Sequence, residues 1–525
     1  MSTQELVHDA ENRELSADVR EATAAVRGGL LLIAAKIVHV VAGFGLYFFL
    51  LMFFTRTLGE IAGTVAFGVW GTTFSIINPL NMTFAAGTLQ LVSRLAASRG
   101  AQFEGIFREV RRAQVLLVAA CFVVFELSAP LIAARLLNDA SYTPYLRLGA
   151  CIPVFYALRA LYQGYLNGVR RFSAQAWLDI GASSFRMLFV LIAAALGFGA
   201  LGGVVGFVAS AVLMWAVAAL WIRPQQAAAA APIGLRQLYG FQAKVMLLTL
   251  ATYALTSVDL IAVKALAAAD PSVADRYAGY YTAAQRLGQV PMSLVVALIY
   301  VMFPYVAKGG DDGRAPEISG VIRQGLRTML LLLVPVTAVL AANSLETLSL
   351  VFSSIPRTLA EAGDPPDLAS APFVYLAVAY SAYALLLAGG TLLTAGGRPG
   401  VSLWIMLGTL GFCALAARLL TPELGPPGAA LSVAVGFSMG FVASAVFLLR
   451  FHGACLPWKS AGRILLCGAL VYAVGLALPT RGIRLVLEDV CLLGLFGVLI
   501  LLLRETSLRE FLDVGRALLG RSKTR

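Results

Sequence analysis

Arginine is rare in the middle of an apolar run, yet Arg159, Arg186 and Arg286 all sit in one, each in a row of polar residues. The first row is Tyr156, Arg159, Gln163 and Asn167; the second is Thr282, Arg286, Gln289 and Ser293, beside the aromatic cluster Tyr277, Tyr280 and Tyr281. A third row holds Asp179, Ser183 and Arg186, a fourth Lys36, His39, Gly43 and Tyr47, and a fifth Thr249, Thr252, Thr256 and Asp259. Steps of three and four put each row on one face of a helix. A charge at the centre of a membrane-spanning helix costs about 2.5–3.5 kcal/mol on insertion scales, so it faces a cavity or another charge. The chemistry open to these rows is binding rather than bond-making: a polar, net-cationic cavity.

Each charge also has a structural reading. Arg159, Arg186 and Arg286 have Glu126, Asp179 and Asp259 as nearby opposite charges, and a lone buried charge seeks one. Lys36 is near enough to a membrane surface to snorkel. His39 fits a packed helix position as well as a proton carrier. Asp259 has Lys264 about one turn away, and Glu126, with no polar row around it, reads as a helix-packing partner. Arg56, directly after the first apolar run, reads as a headgroup anchor at the interface.

The elements that carry these rows follow from composition. The 525 residues are 59% hydrophobic and 13% charged, with a mean hydropathy of +0.82; an ordinary soluble domain is about 25% charged. Apolar runs of about 20 residues recur from Leu30 to Leu503, each long enough to span about 30 Å of hydrocarbon. Backbone groups in hydrocarbon must be paired within their own segment, so the runs are helices, and no alternating ten-residue strands of a barrel are visible. The sequence predicts an all-α polytopic membrane protein with about 14 transmembrane helices, near 30–54, 63–86, 113–134, 145–168, 175–198, 201–222, 241–266, 277–306, 319–342, 371–395, 401–418, 428–450, 463–479 and 484–503.

The net charge of +12 reports topology rather than a nucleic-acid partner. Of the 40 Lys and Arg, 27 fall in alternate loops and the two termini, nine on the opposite side and four inside the membrane. This is the positive-inside pattern, and it puts both termini in the cytoplasm of a bacterial inner membrane. Residues 1–27 are polar, with no cleavable signal. The six cysteines show no pairing or metal spacing, and the three histidines are scattered. Walker A and H-E-x-x-H motifs are absent, and no loop is large enough for a glycosyltransferase domain. No enzyme, metal or cofactor is expected. Asn81-Met82-Thr83 matches a glycosylation sequon but lies inside a predicted helix.

Internal repetition divides the chain. Tyr156-Ala157-Leu158 recurs as Tyr383-Ala384-Leu385, and the same offset of 227 relates Leu166 to Leu393, Arg171 to Arg398, Trp177 to Trp404 and Arg223 to Arg450. Two parallel six-helix lobes are expected, at 28–222 and 241–450, joined by a cytoplasmic linker at 223–240. A cytoplasmic tail at 1–27 precedes them. Two peripheral helices follow at 451–503, and then a basic tail at 504–525. That tail reads either as an interfacial amphipathic helix or as an ordinary solvated one. A long external loop is expected at 343–370.

Two stretches carry a family resemblance. One is Thr55-Arg56-Thr57-Leu58-Gly59; the other runs from Asp259 through Lys264, Tyr277-Ala278-Gly279-Tyr280-Tyr281-Thr282-Ala283-Ala284 and Pro291 to Phe303-Pro304. Over residues 28 to 450 the pattern resembles the polysaccharide-export branch of the multidrug/oligosaccharidyl-lipid/polysaccharide exporter superfamily. The resemblance implies flipping of an undecaprenyl-diphosphate-linked oligosaccharide by alternating access of two lobes, with a polysaccharide polymerase and glycosyltransferases as protein partners. Arg159, Arg186, Arg286 and Lys36 would then hold the diphosphate, Gln163, Gln289 and Tyr281 would touch sugar, and Asp259 or His39 would couple an ion. The polyprenyl chain would stay in lipid, along a groove bordered by the last two helices. The lipid II flippase branch matches in helix count but lacks its Arg-rich start of helix 1. The multidrug branch tends to place a carboxylate where this chain has Lys36 and His39. A membrane scaffold in polysaccharide assembly is the remaining alternative.

Overall fold

In a computed structural model, residues 3–99, 101–222, 235–309, 315–454, 456–478 and 482–505 are described. They form an all-helical protein, with no strand among them. In chain order the helices are α1 (Thr3–Leu58), α2 (Glu60–Arg99), α3 (Ala101–Leu136), α4 (Thr143–Gly168), α5 (Phe172–Ala195), α6 (Gly199–Trp221), α7 (Leu235–Leu255), α8 (Val258–Leu266) and α9 (Pro271–Gly288). They continue with α10 (Val290–Gly309), α11 (Ala315–Ala342), α12 (Ser344–Val351), α13 (Ser354–Ala362), α14 (Asp367–Ala395), α15 (Pro399–Leu424), α16 (Pro426–His452), α17 (Trp458–Leu476) and α18 (Ile483–Leu502). Most of the linker expected at 223–240 and nearly all of the basic tail, 506–525, lie outside the described residues.

Every predicted segment falls on helix, although not all fourteen meet the length and composition of a membrane span. Among the described residues, twelve helices are long and apolar enough to cross a membrane, and the pair α7/α8, bent by 50° at Leu255–Val258, makes thirteen. The fourteenth expected span, α4, is helical but outside that set; Arg147, Arg159, Gln163 and Asn167 all lie on it. Three further differences have local causes. The polar segment before residue 28 is helix from Thr3 onward, continuous with α1, because its alanines, glutamates and arginines are strong helix formers. The run at 277–306 is divided between α9 and α10. The expected external loop at 343–370 contains two short helices, α12 and α13, which end at Phe352 and at Gly363 in left-handed conformation. At the start of α9, Asp270 accepts from Ser272 N and Val273 N with Pro271 in the first turn. The Ser272 hydroxyl, which donates to the same carboxylate at 2.7 Å, and those two backbone bonds hold the Asp270 carboxyl below the ordinary carboxylate value.

The chain forms two compact units. The first comprises 1–59 and 73–253, the second 60–72 and 254–525. Helix α2 thus gives its first turns to the second unit and the rest to the first.

In the first unit α1 and α5 run parallel. Gly28 meets Phe172 and Gly45 meets Met187, while the His39 ring meets the Ser183 hydroxyl between them. Helices α2 and α4 pack closer still. A Cβ on Gly164 would lie 2.8 Å from both the Leu89 carbonyl oxygen and Val92, so only glycine lets the backbones approach this far. Gly164→Ala is expected to overpack this seam and cost about 1–3 kcal/mol. The check is the temperature at which detergent-solubilised protein loses its monodisperse peak; an unchanged midpoint would refute it. Phe103, Phe107, Tyr162 and Tyr165 form a buried aromatic cluster in this unit, Phe103 stacked on Tyr165 and Phe107 tilted or edge-on to both tyrosines. Across α3 and α7, Gln114 and Gln242 exchange amide hydrogen bonds of 2.7 and 3.0 Å, and Thr88 donates to Gln114.

In the second unit, the start of α2 packs on α9. A Cβ on Gly68 would meet the backbone of Asp275, and one on Gly279 that of Thr64. Thr64 also meets Thr358 of α13 at 2.9 Å, and Glu60 meets Arg357 at 3.0 Å. Arg276 grips Asp364 through Nε (2.7 Å) and Nη2 (3.2 Å), and Tyr280 donates to the same carboxylate. At the far end of α18, Glu505 accepts from Arg327, Arg463 and Ser460, which ties α18 to α11 and α17.

Candidate functional site

Four basic side chains gather within the first unit, on three helices. Lys36 and His39 come from α1, Arg159 from α4 and Arg186 from α5, and the charges of Arg186, Lys36 and Arg159 all reach the His39 ring. The His39 Nδ1 lies 3.0 Å from Ser183 Oγ, which fixes the ring against α5. Lys36 and His39 are exposed on the surface of α1, whereas Arg159 is 8% exposed. Its guanidinium lies over the Tyr156 ring, 4.6 Å from the centroid, one turn back on the same helix. Its Nε and Nη1 are buried without a hydrogen-bond partner. Arg186 lies over the ring of Phe207 at 5.6 Å, and its Nε too has no partner. Aromatic faces stabilise both cations by about 0.5–2 kcal/mol while leaving their in-plane N–H donors uncommitted.

The carboxylates that competed for these arginines are occupied elsewhere. Glu126 pairs with Arg147 at 3.7 Å, and Asp179 accepts from Gln163 Nε2 at 2.5 Å. Gln163 is therefore a buried bridge from α4 to α5. Ser183, from the third row, earns its place as the partner of His39.

A second group lies in the other unit. Asp259, at the first turn of α8 just past the break from α7, is 1% exposed. Its carboxylate accepts from Tyr281 OH at 2.9 Å and from Gln285 Nε2 at 3.1 and 3.2 Å, and Oδ1 accepts from the Leu260 N–H at 2.9 Å. Gln285 also reaches the Thr256 carbonyl exposed by the break. Tyr281 is fully buried, and its hydroxyl holds this carboxylate. On the neighbouring face of α9, Arg286 Nη1 donates to Gln289 Oε1 at 3.2 Å. Tyr380 of α14 lies within electrostatic reach of both Asp259 and Arg286. Lys264, the partner expected for Asp259, instead pairs with Asp275 at 2.7 Å and donates to the Pro271 carbonyl at 3.1 Å.

Several members of the predicted rows are spent within their own helices. Thr249, Thr252, Thr282 and Ser293 all donate to carbonyls one turn back, so they present little polarity to a ligand. Gln285 was missed, although it lies four residues after Tyr281 and so on the same face. Phe207 carried no signal, since an aromatic in an apolar helix is ordinary. Among the described residues no group of His, Cys, Asp and Glu could hold a metal ion.

Comparison with known proteins shows the family and the fold. The family model described as "Polysaccharide biosynthesis protein" matches residues 61–355. Among solved structures, the lipid II flippase MurJ in an inward closed conformation is similar, with a TM-score of 0.70 at 15% identity, covering 91% of this chain and 99% of that one. An inward-facing multidrug resistance MATE family transporter of the MOP superfamily gives 0.58 at 13% identity, covering 86% and 100%. A MOP superfamily transporter from Pyrococcus furiosus, whose binding pocket is described as having reverse polarity, gives 0.57 at 12%, covering 86% and 96%. No curated protein sequence matches the chain. At these identities the structural likeness is one of fold.

Proposed function

Since the chain belongs to the polysaccharide biosynthesis protein family, we propose that it is a flippase carrying an undecaprenyl-diphosphate-linked oligosaccharide across the bacterial inner membrane by alternating access. The observation that carries this reading is the cluster Lys36, His39, Arg159 and Arg186, with guanidinium N–H groups of two arginines left without partners. A diphosphate brings about two negative charges, and planar guanidinium forks bind its oxygens in pairs. Bound there, the headgroup would replace the missing hydrogen bonds and offset the desolvation of the arginines. Arg286 and Gln289 supply the equivalent polar surface of the second unit, with exposed sugar hydroxyls as their natural partners. The protein makes and breaks no covalent bond in this scheme; its work is to exchange hydration for fixed donors.

The charge sign counts against a cationic drug as cargo, because such a ligand would meet three or four like charges. A lipid II flippase would use the same diphosphate chemistry and differ in the sugar. Asp259, with its oxygens committed to Tyr281, Gln285 and Leu260, is the proposed point at which an ion is coupled; an arriving proton or cation would compete with those donors. His39, locked to Ser183, is the second such candidate. The basic loops orient both termini toward the cytoplasm, where glycosyltransferases build the substrate, and a polymerase would receive it on the far side.

The test is reconstitution of the full chain in proteoliposomes carrying a fluorescent undecaprenyl-diphosphate oligosaccharide, with exposure on the far leaflet read by a membrane-impermeant quencher or glycosidase. Protein-dependent translocation is expected for the oligosaccharide, slower translocation for lipid II, and none for a cationic dye. Dye transport without lipid transport would reverse the assignment.

A further inference from the structure

The two arginines of the basic cluster rest on one connected set of aromatic rings. Phe207 of α6 is buried against three partners. Phe74 of α2 stacks on it, with 5.0 Å between centroids and 14° between planes. Tyr156 of α4 meets it edge-on, at 5.9 Å and 69°, and the Arg186 guanidinium of α5 lies over it at 5.6 Å. Tyr156 in turn carries Arg159 over its own ring at 4.6 Å. Phe207 therefore bears Arg186 directly and braces the ring that bears Arg159.

The same pair of rings recurs in the second unit, which separates what the packing needs from what the cations need. Val205-Gly206-Phe207 of α6 matches Val435-Gly436-Phe437 of α16 at an offset of 230, and Tyr156 matches Tyr383 at 227. Tyr383 and Phe437 are both buried, with 5.1 Å between their centroids. At the 227 offset, however, Arg159 and Arg186 correspond to Leu386 and Cys413. Tyrosine against phenylalanine is thus packing that both units share, and arginines are set at these positions in the first. A guanidinium on a long stem loses rotamer freedom when it grips an anion, and a stem already held loses less. The ring faces hold both cations while the Nε of each, and Nη1 of Arg159, stay without a hydrogen-bond partner.

We propose that Phe207, together with Tyr156, is a positioning residue of the diphosphate site. The rings hold the Arg159 and Arg186 forks in place before the headgroup arrives, and they bring α6 and α2 into a site whose charged members come from α1, α4 and α5. This rests on the flippase reading above. The ligand meets the arginines; Phe207 acts through them.

The experiment titrates farnesyl diphosphate into the purified full chain in detergent, by calorimetry, and into its Phe207→Leu, Phe207→Tyr, Tyr156→Leu and Phe437→Leu variants. Leucine keeps each position apolar but offers a cation no π face. Phe207→Leu is expected to bind about tenfold more weakly, Tyr156→Leu about fivefold more weakly, and Phe207→Tyr, which keeps the face, within about twofold of wild type. Phe437→Leu removes the matching ring of the second unit. Its thermal midpoint should fall about as far as that of Phe207→Leu, with affinity within about twofold of wild type. In an Arg186→Ala background Phe207→Leu should cost no more than about threefold, because most of what it supports is gone. Wild-type affinity in Phe207→Leu and Tyr156→Leu, an equal loss in Phe437→Leu, or a full loss persisting without Arg186 would each overturn the assignment and leave the flippase reading intact. If Phe207→Leu cannot be purified folded, Tyr156→Leu, at a half-buried position, decides the matter. A wild-type chain that binds no farnesyl diphosphate would remove both the assignment and the reading it rests on.

Discussion

Arg159→Ala is expected to reduce lipid-oligosaccharide export about ten- to hundredfold while leaving the quantity of folded protein in the membrane unchanged. The range follows from the loss of charge-assisted hydrogen bonds worth about 1.5–3 kcal/mol to a bound diphosphate. Stability is spared because no ion pair is broken: Glu126 is paired with Arg147 and Asp179 with Gln163. What alanine removes from the empty protein is the contact over Tyr156 and a buried cation with two unsatisfied nitrogens, and these two losses oppose each other. Arg159→Lys should keep the attraction and lose the fork, and so fall between the two. Export per molecule, normalised by quantitative immunoblot, distinguishes the outcomes. If Arg159→Ala protein disappears in proportion to activity, the residue is structural; if export is untouched, the cluster does not meet the substrate.

The opposite behaviour is expected of Lys264→Ala, which should destabilise the protein by about 3–5 kcal/mol, the usual cost of stripping one partner from a buried ion pair. Lys264 Nζ lies 2.7 Å from Asp275, with the two side chains only 1% and 10% exposed. Removing the ammonium leaves the Asp275 carboxylate in a water-poor position, and the Pro271 carbonyl loses its donor as well. Fluorescence-detected size exclusion after heating should show a transition many degrees lower. The double variant Lys264→Met/Asp275→Asn, which deletes both charges at similar volume, should recover most of that loss. No recovery would mean that Lys264 acts through something other than this pair.

The helical class and the spans were legible because a long apolar run has one solution in hydrocarbon. The family resemblance was carried by Thr55–Gly59 and by the stretch from Asp259 to Pro304, and the family match overlaps both its second part and the start of α2. Less legible were positions where tertiary partners decide. Spacing put Arg159, Gln163 and Asn167 on one face, but could not say that Gln163 would be spent on Asp179 while Arg159 kept free donors. Nor could it choose Asp275 over Asp259 for Lys264, since both lie within reach along the chain and only the turn at residues 267–270 selects between them. The break after Leu255 was hidden because Thr256, Ser257 and Asp259 fit an uninterrupted polar row. Helix α13 escaped because Pro356, Arg357 and Glu361 punctuate it as they would a loop, and α12 because its eight residues are too few to show a clear helical period.

Gln163 and Asp179 also bear on how the protein is made. Helix α4 lies outside the set of described helices long and apolar enough to cross a membrane by composition, and an arginine near its centre adds about 2.5–3.5 kcal/mol to the work of insertion. Its Gln163 is matched by a group that does not exist in the membrane until α5 has been synthesised. Only three residues, Val169–Arg171, separate the two helices, with Arg170 in a left-handed turn. The pair is therefore expected to enter the membrane as one hairpin, α4 depending on α5 for the partner of its Gln163.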